Sequence, residues 1–181
     1  MKKYINPFIK EILPIIAGIL IALYINNWNE TRKEENYINH ISTSINDELT
    51  ETNSDIIDII LAQKSFIDTI DFYSKDNEIS LLEIAIKAEG IKIPTIKINS
   101  WKAISNSKIE LMEYEKVSIL SEIEENKDIL KMKAEKLVSF IYTNTKETET
   151  DKKLLMKIMM LDIISTEMSI QKEIEKIINN E

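Results

Sequence analysis

The chain has one histidine, His40, and because histidine is a common metal ligand and acid–base group it is the first place to look for chemistry. Glu34, Glu35, Asp47 and Glu48 are close in sequence. A histidine–carboxylate metal site on a helix needs ligands three or four residues away. Those positions hold Asn36, Tyr37, Thr43 and Ser44, none of them a strong ligand, so a solvated helix face is the reading for His40. Carboxylates recur as Glu122-Glu124-Glu125 and Glu147-Glu149-Asp151. Acid–base catalysis by a carboxylate pair needs the two groups opposed across a cleft with one pKa raised. These lie among lysines on polar faces, and solvation is again expected. With no cysteine there is no thiol nucleophile, thiolate metal site or disulfide. Two glycines and three prolines are too few for a glycine-rich phosphate loop, a tight-turned barrel or a doubly wound α/β fold. The expectation is therefore a non-enzyme with no catalytic, cofactor-binding or metal-binding residues and no cofactor.

Residues suited to contact rather than catalysis are more distinctive. Gly18 and Ala22, with Ala17 beside them, form a small-xxx-small pair that lets membrane helices approach closely. Asn26-Asn27-Trp28-Asn29-Glu30 reads first as an interfacial tryptophan among polar residues facing headgroups. The sharper reading is a docking site for a partner membrane protein, which would satisfy the asparagine amides at that depth. Gly18, Ala22, Asn26, Asn27 and Trp28 are thus the candidate interaction residues. Met156, Met159, Met160 and Met168 read as core filler, with a plastic partner groove as the alternative. Nucleic acid is not an expected partner, because 31 acidic residues outnumber 23 basic ones and no basic stripe interleaves with aromatics.

The element that must carry the first group is a membrane helix. From Ile12 to Ile25 there is no charge, a helical length of about 21 Å against a hydrocarbon core of ~30 Å. The flanks extend it. Tyr4 and Phe8 on one side, Tyr24 and Trp28 on the other, have aromatic-belt spacing, and Lys10 can snorkel towards headgroups. Asn6-Pro7 reads as an N-cap followed by proline at the first helical position. A cleaved signal peptide would need small residues just before a cleavage point, yet the run ends Ala22-Leu23-Tyr24-Ile25 with bulky Tyr24 in the way. An uncleaved anchor is expected; a cleaved signal and a buried soluble helix are the alternatives.

Lys2, Lys3 and Lys10 precede the span, and Arg32 and Lys33 follow it amid Glu30, Glu34 and Glu35. Removing Lys2, Lys3, Lys10 and Glu11 from the totals leaves 20 basic and 30 acidic side chains beyond the span. The positive-inside rule then predicts a cell (inner) membrane protein with a cytoplasmic N-terminus and a periplasmic bulk. About ten residues would remain in the cytoplasm. The domains read as 1–6 cytoplasmic, 7–28 transmembrane and 29–181 extramembrane.

Beyond the membrane the pattern is helical. Neither glycine nor proline occurs between Gly18 and Gly90, predicting one helix from Pro7 to about Tyr73, unbroken between Tyr24 and Tyr37. Its stripe is Ile38, Ile41, Ile45, Leu49, Ile56, Ile60, Ile67 and Ile70, with Thr50 to Ser54 as a weak point. A short helix over Ser80 to Glu89 ends at Gly90 as the residue after the cap. Ile91 to Ile98 alternates but contains Pro94 and has no evident partner strand, so it reads as an extended connector. Ser100 can cap a helical turn carrying Trp101 and Ile104. A second long helix runs to about Tyr142 on Val117, Leu120, Ile123, Leu130, Ala134, Leu137 and Ile141. The last, from Asp151 to about Ile178, carries Leu154, Ile158, Leu161, Ile164, Met168, Ile174 and Ile178. An all-α antiparallel bundle of three long helices follows, with Leu120, Leu130, Leu137, Ile158 and Leu161 buried where the last two meet.

The stretch Glu11 to Glu35 resembles an uncharacterised bacterial family, mostly from Bacteroidota, whose members open with a membrane helix reading roughly GILIALxINNWNE. Gly18 to Leu23 and Ile25 to Glu30 match it closely. Trp101 to Leu111 is similar to a second landmark, with Ser107 where the family has glycine. The resemblance implies a single-pass membrane protein and carries over no catalytic residue. The expected partners are the lipid bilayer and another membrane protein or a second copy. The expected role is interaction or self-association by a non-enzymatic bundle. A bundle that senses an extracytoplasmic small molecule and signals through a partner is the alternative, favoured by a buried charge or a cavity of several hundred cubic ångströms.

Overall fold

The computed structural model describes residues 7–179, all of them helical or in turns and connectors, with no strand among them. The 1–6 terminus, with Tyr4 and the Asn6 cap, lies outside the described residues. Helix α1 spans Pro7–Phe72, α2 Leu81–Lys87, α3 Asn99–Ser105, α4 Tyr114–Thr143 and α5 Thr150–Asn179, with a 3-10 turn at Ile109–Leu111. The chain divides into two compact units, Met1–Ser42 and Thr43–Glu181. The first consists, where described, of α1 alone, continuous through Tyr24 to Tyr37.

In the second unit, α1 buries Ile45, Leu49, Thr52, Ile56, Gln63, Phe66 and Ile70, a stripe spaced three, four and seven apart. Phe66 takes the core position expected of Ile67, which is half-buried. Thr52, in the expected weak segment, stays helical because its hydroxyl is used elsewhere: Oγ1 accepts from the Lys97 amide at 3.0 Å. After Phe72 the chain turns through short polar residues. Ser74 Oγ donates to the Asp71 carbonyl at 2.7 Å, and Asp76 Oδ1 accepts from the Glu78 amide at 2.9 Å.

Helix α2 starts on a full capping box: Ser80 Oγ accepts from the Glu83 amide, and the Glu83 carboxylate accepts from the Ser80 amide. Those bonds hold the Glu83 carboxyl below its usual range, the backbone bond foremost. Its end differs from expectation. The Gly90 amide donates to Ala85 O at 2.8 Å and the Glu89 amide to Ile86 O at 3.1 Å, a Schellman pair. The residue after the cap is therefore Glu89, left-handed at φ 61°, with Gly90 following at φ 83°. A side chain stands where glycine is easiest.

Segment 91–98 is the extended connector that its proline and lack of a partner strand predict. Its backbone finds partners on α1 instead of on another strand. The Thr95 amide donates to Asp55 Oδ2 at 2.6 Å, the Lys97 amide to Thr52, and the Lys92 carbonyl accepts from Gln63 Nε2 at 2.9 Å. Pro94, Ile96 and Ile98, every second residue, are buried. The expected Ser100 cap is not made. Ile98 is the capping residue, without a side-chain bond, and the Ser100 amide and hydroxyl both donate to Glu48 on α1. A carboxylate from another helix satisfies the first-turn donor and suits the helix N-terminus electrostatically.

Helices α4 and α5 pack on each other. Leu120, Ile123, Leu130, Leu137 and Ile141 are buried as their spacing predicts, joined by Ile119. The expected α5 stripe is corrected. Ile158 is 52% and Leu161 46% exposed, and Leu154 and Met168 are exposed with them. Ile164 and Ile174 are buried as expected, on a face that also carries Met156, Met160, Ile163, Ile170 and Ile177. Both faces carry apolar residues at helical spacing, so periodicity alone does not choose between them; the packing neighbours do. Of the four methionines, Met156 and Met160 fill the core, Met159 is half-buried and Met168 is outside it.

Leu130→Ala is expected to cost about 2–5 kcal/mol in a denaturant melt, whereas Ile158→Ala stays within about 0.5 kcal/mol. Equal losses would show that the packed face is misassigned. Glu89→Gly is expected to stabilise by about 0.5–1 kcal/mol, because glycine relieves the left-handed conformation; a lower melting temperature contradicts this.

Candidate interaction surfaces

The interaction candidates lie on α1 and are all exposed. At 100° per residue Gly18, Ala22, Asn26 and Asn29 fall along one side of the helix, while Asn27 and Trp28 point away from it. The structure thus brings three of the five candidates towards one face and separates the other two. A Cβ on Gly18 would meet nothing within 4 Å, so the glycine leaves its helix surface open. Trp28 has a neighbour one turn on: the Arg32 guanidinium stands 6.0 Å from its ring centroid. Between Leu13 and Trp28 the large apolar residues are exposed on every side, from 50% at Ile16 to 74% at Tyr24. By length and composition this is one helix, near the N-terminus, apolar enough to cross a membrane. His40 is exposed, and among the described residues no three His, Asp or Glu side chains group as metal ligands.

One carboxylate read as solvated is engaged. Glu124 Oε2 accepts from the buried Trp101 indole at 2.7 Å, with the Lys102 ammonium 3.6 Å from Oε1. Lysine 153, on the α5 face taken into the core, is fully buried and donates to the Tyr73 carbonyl at 3.0 Å and to the Asp76 carbonyl. It closes the end of α1, where carbonyls lack helical partners and the dipole favours a cation. Thr150 Oγ1 donates to Ser74 O, tying the turn after α1 to the start of α5, and the Leu81 amide donates to Glu147 O, joining the start of α2 to the α4–α5 loop.

Along α5 the ties to α1 continue. Lys157 Nζ reaches both oxygens of Asp71 at 2.7 Å, and ten residues on, Glu167 Oε1 accepts from Gln63 Nε2 at 2.7 Å. Both residues of this second pair are buried, and Glu167 Oε2 and Gln63 Oε1 have no hydrogen-bond partner among the described residues. Burial pushes the Glu167 carboxyl up to about 7, against the opposing effect of the Gln63 bond. Sequence reasoning missed this pair. The available signal was Glu167 three residues from both Ile164 and Ile170 on a mostly apolar face.

An open groove of about 750 Å³ runs between the connector at Ile93, Pro94 and Ile96 and the α4 residues Leu130, Ala134 and Val138. A second, of about 400 Å³, shares Val138 and Tyr142 with it and is walled on the other side by α2. Glu167 is not part of either wall. Comparison with known protein families, with curated proteins and with solved structures found no match to this chain.

Lys153→Met is expected to cost about 1–3 kcal/mol, because the Tyr73 and Asp76 carbonyls would lose their buried donor. A melt unchanged from the parent's would show that this lysine carries no weight.

Proposed function

We propose that the protein is a non-enzymatic, membrane-anchored helical bundle that acts by binding another membrane protein or a second copy of itself. The observation that carries this reading is the run from Leu13 to Ile25, apolar around the whole helix and exposed along its length. In water, each large side chain left exposed forgoes about 1.5–3 kcal/mol of burial; lipid supplies that burial. Residues 7–28 are the single membrane span of this reading. The N-terminus lies in the cytoplasm and the bulk on the periplasmic side of the inner membrane, following the basic residues before the span. Outside the membrane, the rest of α1 with α4 and α5 forms an antiparallel three-helix bundle. Its support is the order of the ties: as α5 advances from Lys157 to Glu167, its partner on α1 recedes from Asp71 to Gln63. On α4 likewise, Asn144 pairs with Lys152 and Lys133 with Asp162.

The interaction surface in the membrane is the Gly18–Ala22–Asn26 side, where small residues admit a close helix and the amide requires a partner in lipid. Gly18→Leu and Asn26→Leu are expected to abolish a zero-length crosslink made in intact membranes, while Leu13→Ala leaves it. Mass spectrometry of the adduct identifies the partner or a second copy. Crosslinks indifferent to all three changes overturn this surface. For orientation, a periplasm-active reporter fused after Glu181 is expected to be active and a cytoplasm-only reporter silent; the reverse pattern contradicts the topology.

A second reading has its own observation. The 750 Å³ apolar groove beside the connector is large enough for a small molecule, as an extracytoplasmic sensor requires.

A further inference from the structure

We infer that Glu167 is held in the fold as a neutral carboxylic acid joined head to head with the Gln63 amide by two hydrogen bonds, making the contact between α1 and α5 a proton-binding site that loosens when the proton leaves. This stands independently of membrane insertion and of any partner.

An ionised carboxylate only accepts hydrogen bonds, and so does an amide oxygen. As an ion, Glu167 would leave two acceptors buried without donors, its own Oε2 and Gln63 Oε1. Each such group carries a desolvation penalty that nothing offsets. One proton on Oε2 removes both deficits. It turns Oε2 into a donor, and the acceptor lacking a donor belongs to the amide whose Nε2 already bonds to Oε1. A carboxylic acid and a primary amide each present one donor and one acceptor along one edge, so the two edges match. Swapping the amide oxygen and nitrogen does not achieve the same result. Gln63 Nε2 also donates to the Lys92 carbonyl at 2.9 Å, and that carbonyl can only accept, which fixes the amide orientation. With the proton in place all four edge atoms are used, and the amide's second hydrogen holds the connector.

Among the described residues no cation takes the place of the proton. From α1 the facing group is the uncharged amide. From the connector it is a carbonyl, and the Lys92 ammonium is 3.2 Å from Glu89 instead. On α4 the cation nearest in register is Lys133, whose ammonium is held by Asp162 and Thr166, each at 2.8 Å. On α5 itself, Lys172 is exposed. The carboxyl's raised titration has burial as its cause, with only the Gln63 bond against it.

The sign of the pH effect follows. The folded carboxyl releases its proton at about 7 and the unfolded one at the ordinary 4.5. Between those values the folded chain holds a proton that the unfolded chain has lost, so its contribution is complete below the lower value, declines through the window and is gone above the upper one. The difference corresponds to a loss of roughly a hundredfold or more in the folding equilibrium.

The test uses the full chain in lipid or detergent, compared with Glu167→Gln. The variant keeps one donor and one acceptor on the same edge and cannot ionise. Thermal melts at about pH 5 and about pH 8 are expected to show the parent losing stability relative to the variant as pH rises. Equal pH slopes overturn the proposal. Infrared difference spectra of the parent give a second readout that does not depend on the variant's stability. At about pH 6 the folded protein is expected to show the carbonyl band of a protonated carboxyl, lost on raising the pH to about 8. A carboxyl-¹³C resonance of Glu167 that titrates in the ordinary carboxylate range, or no protonated band at about pH 6, refutes it. If Glu167→Gln does not fold, the two edges do not match as described and the acid–amide pair is refuted on that ground.

Discussion

From Ile19 to Glu89 the chain contains neither glycine nor proline, and this constraint organises the rest. A helix propagates at one hydrogen bond per residue once nucleated, so without a breaker it has no reason to turn back. The apolar run and the first bundle stripe are consequently parts of one element, α1. The run has no core of its own to enter, whereas residues from Ile45 onward meet other helices and are buried. The stop, when it comes, is built by short polar side chains at Asp71 to Asp76, then closed by the buried Lys153 ammonium.

Side-chain to backbone bonds join several of the elements. Segment 91–98 is not helical and needs partners for its amides and carbonyls. Asp55, Thr52 and Gln63 on α1 supply three of them, and Glu48 does the same for the first turn of α3. These polar residues interrupt the α1 stripe at the points where the chain crosses it. Glu167 extends the same logic, because Gln63 serves the connector with one hydrogen and α5 with the other.

Much of this was legible beforehand. The ends of α1, the start of α2 at Ser80, the connector around Pro94 and the α4 stripe each depend on a local rule: absence of breakers, a capping box, proline in an alternating run, spacing by three and four. What escaped depended on tertiary choice. On α5 both Leu154-Ile158-Leu161 and Met156-Met160-Ile163 satisfy helical spacing, and the neighbours decide which is covered. Glu124 read as a solvated carboxylate, and Glu48 and Glu167 were given no role, because a sequence does not show that Trp101, Ser100 and Gln63 await them. Glu89 was missed because its neighbour Gly90 is the residue type a left-handed position favours. Of the interaction residues, type and spacing were visible, but only the helix phase shows that Asn27 and Trp28 lie off the side shared by Gly18, Ala22 and Asn26.

The central claim is that the run from Leu13 to Ile25 is surrounded by lipid. The absence of native cysteine allows a spin label at one substituted cysteine at a time along that run in vesicles carrying the full chain. Relaxation by oxygen, which partitions into the bilayer, is compared with relaxation by a water-soluble paramagnetic complex. The account predicts that the water-soluble complex is excluded at every position around the helix, with the deepest exclusion near Gly18 and Ile19. Access by that complex to one side of the helix, recurring every three or four residues, would contradict it.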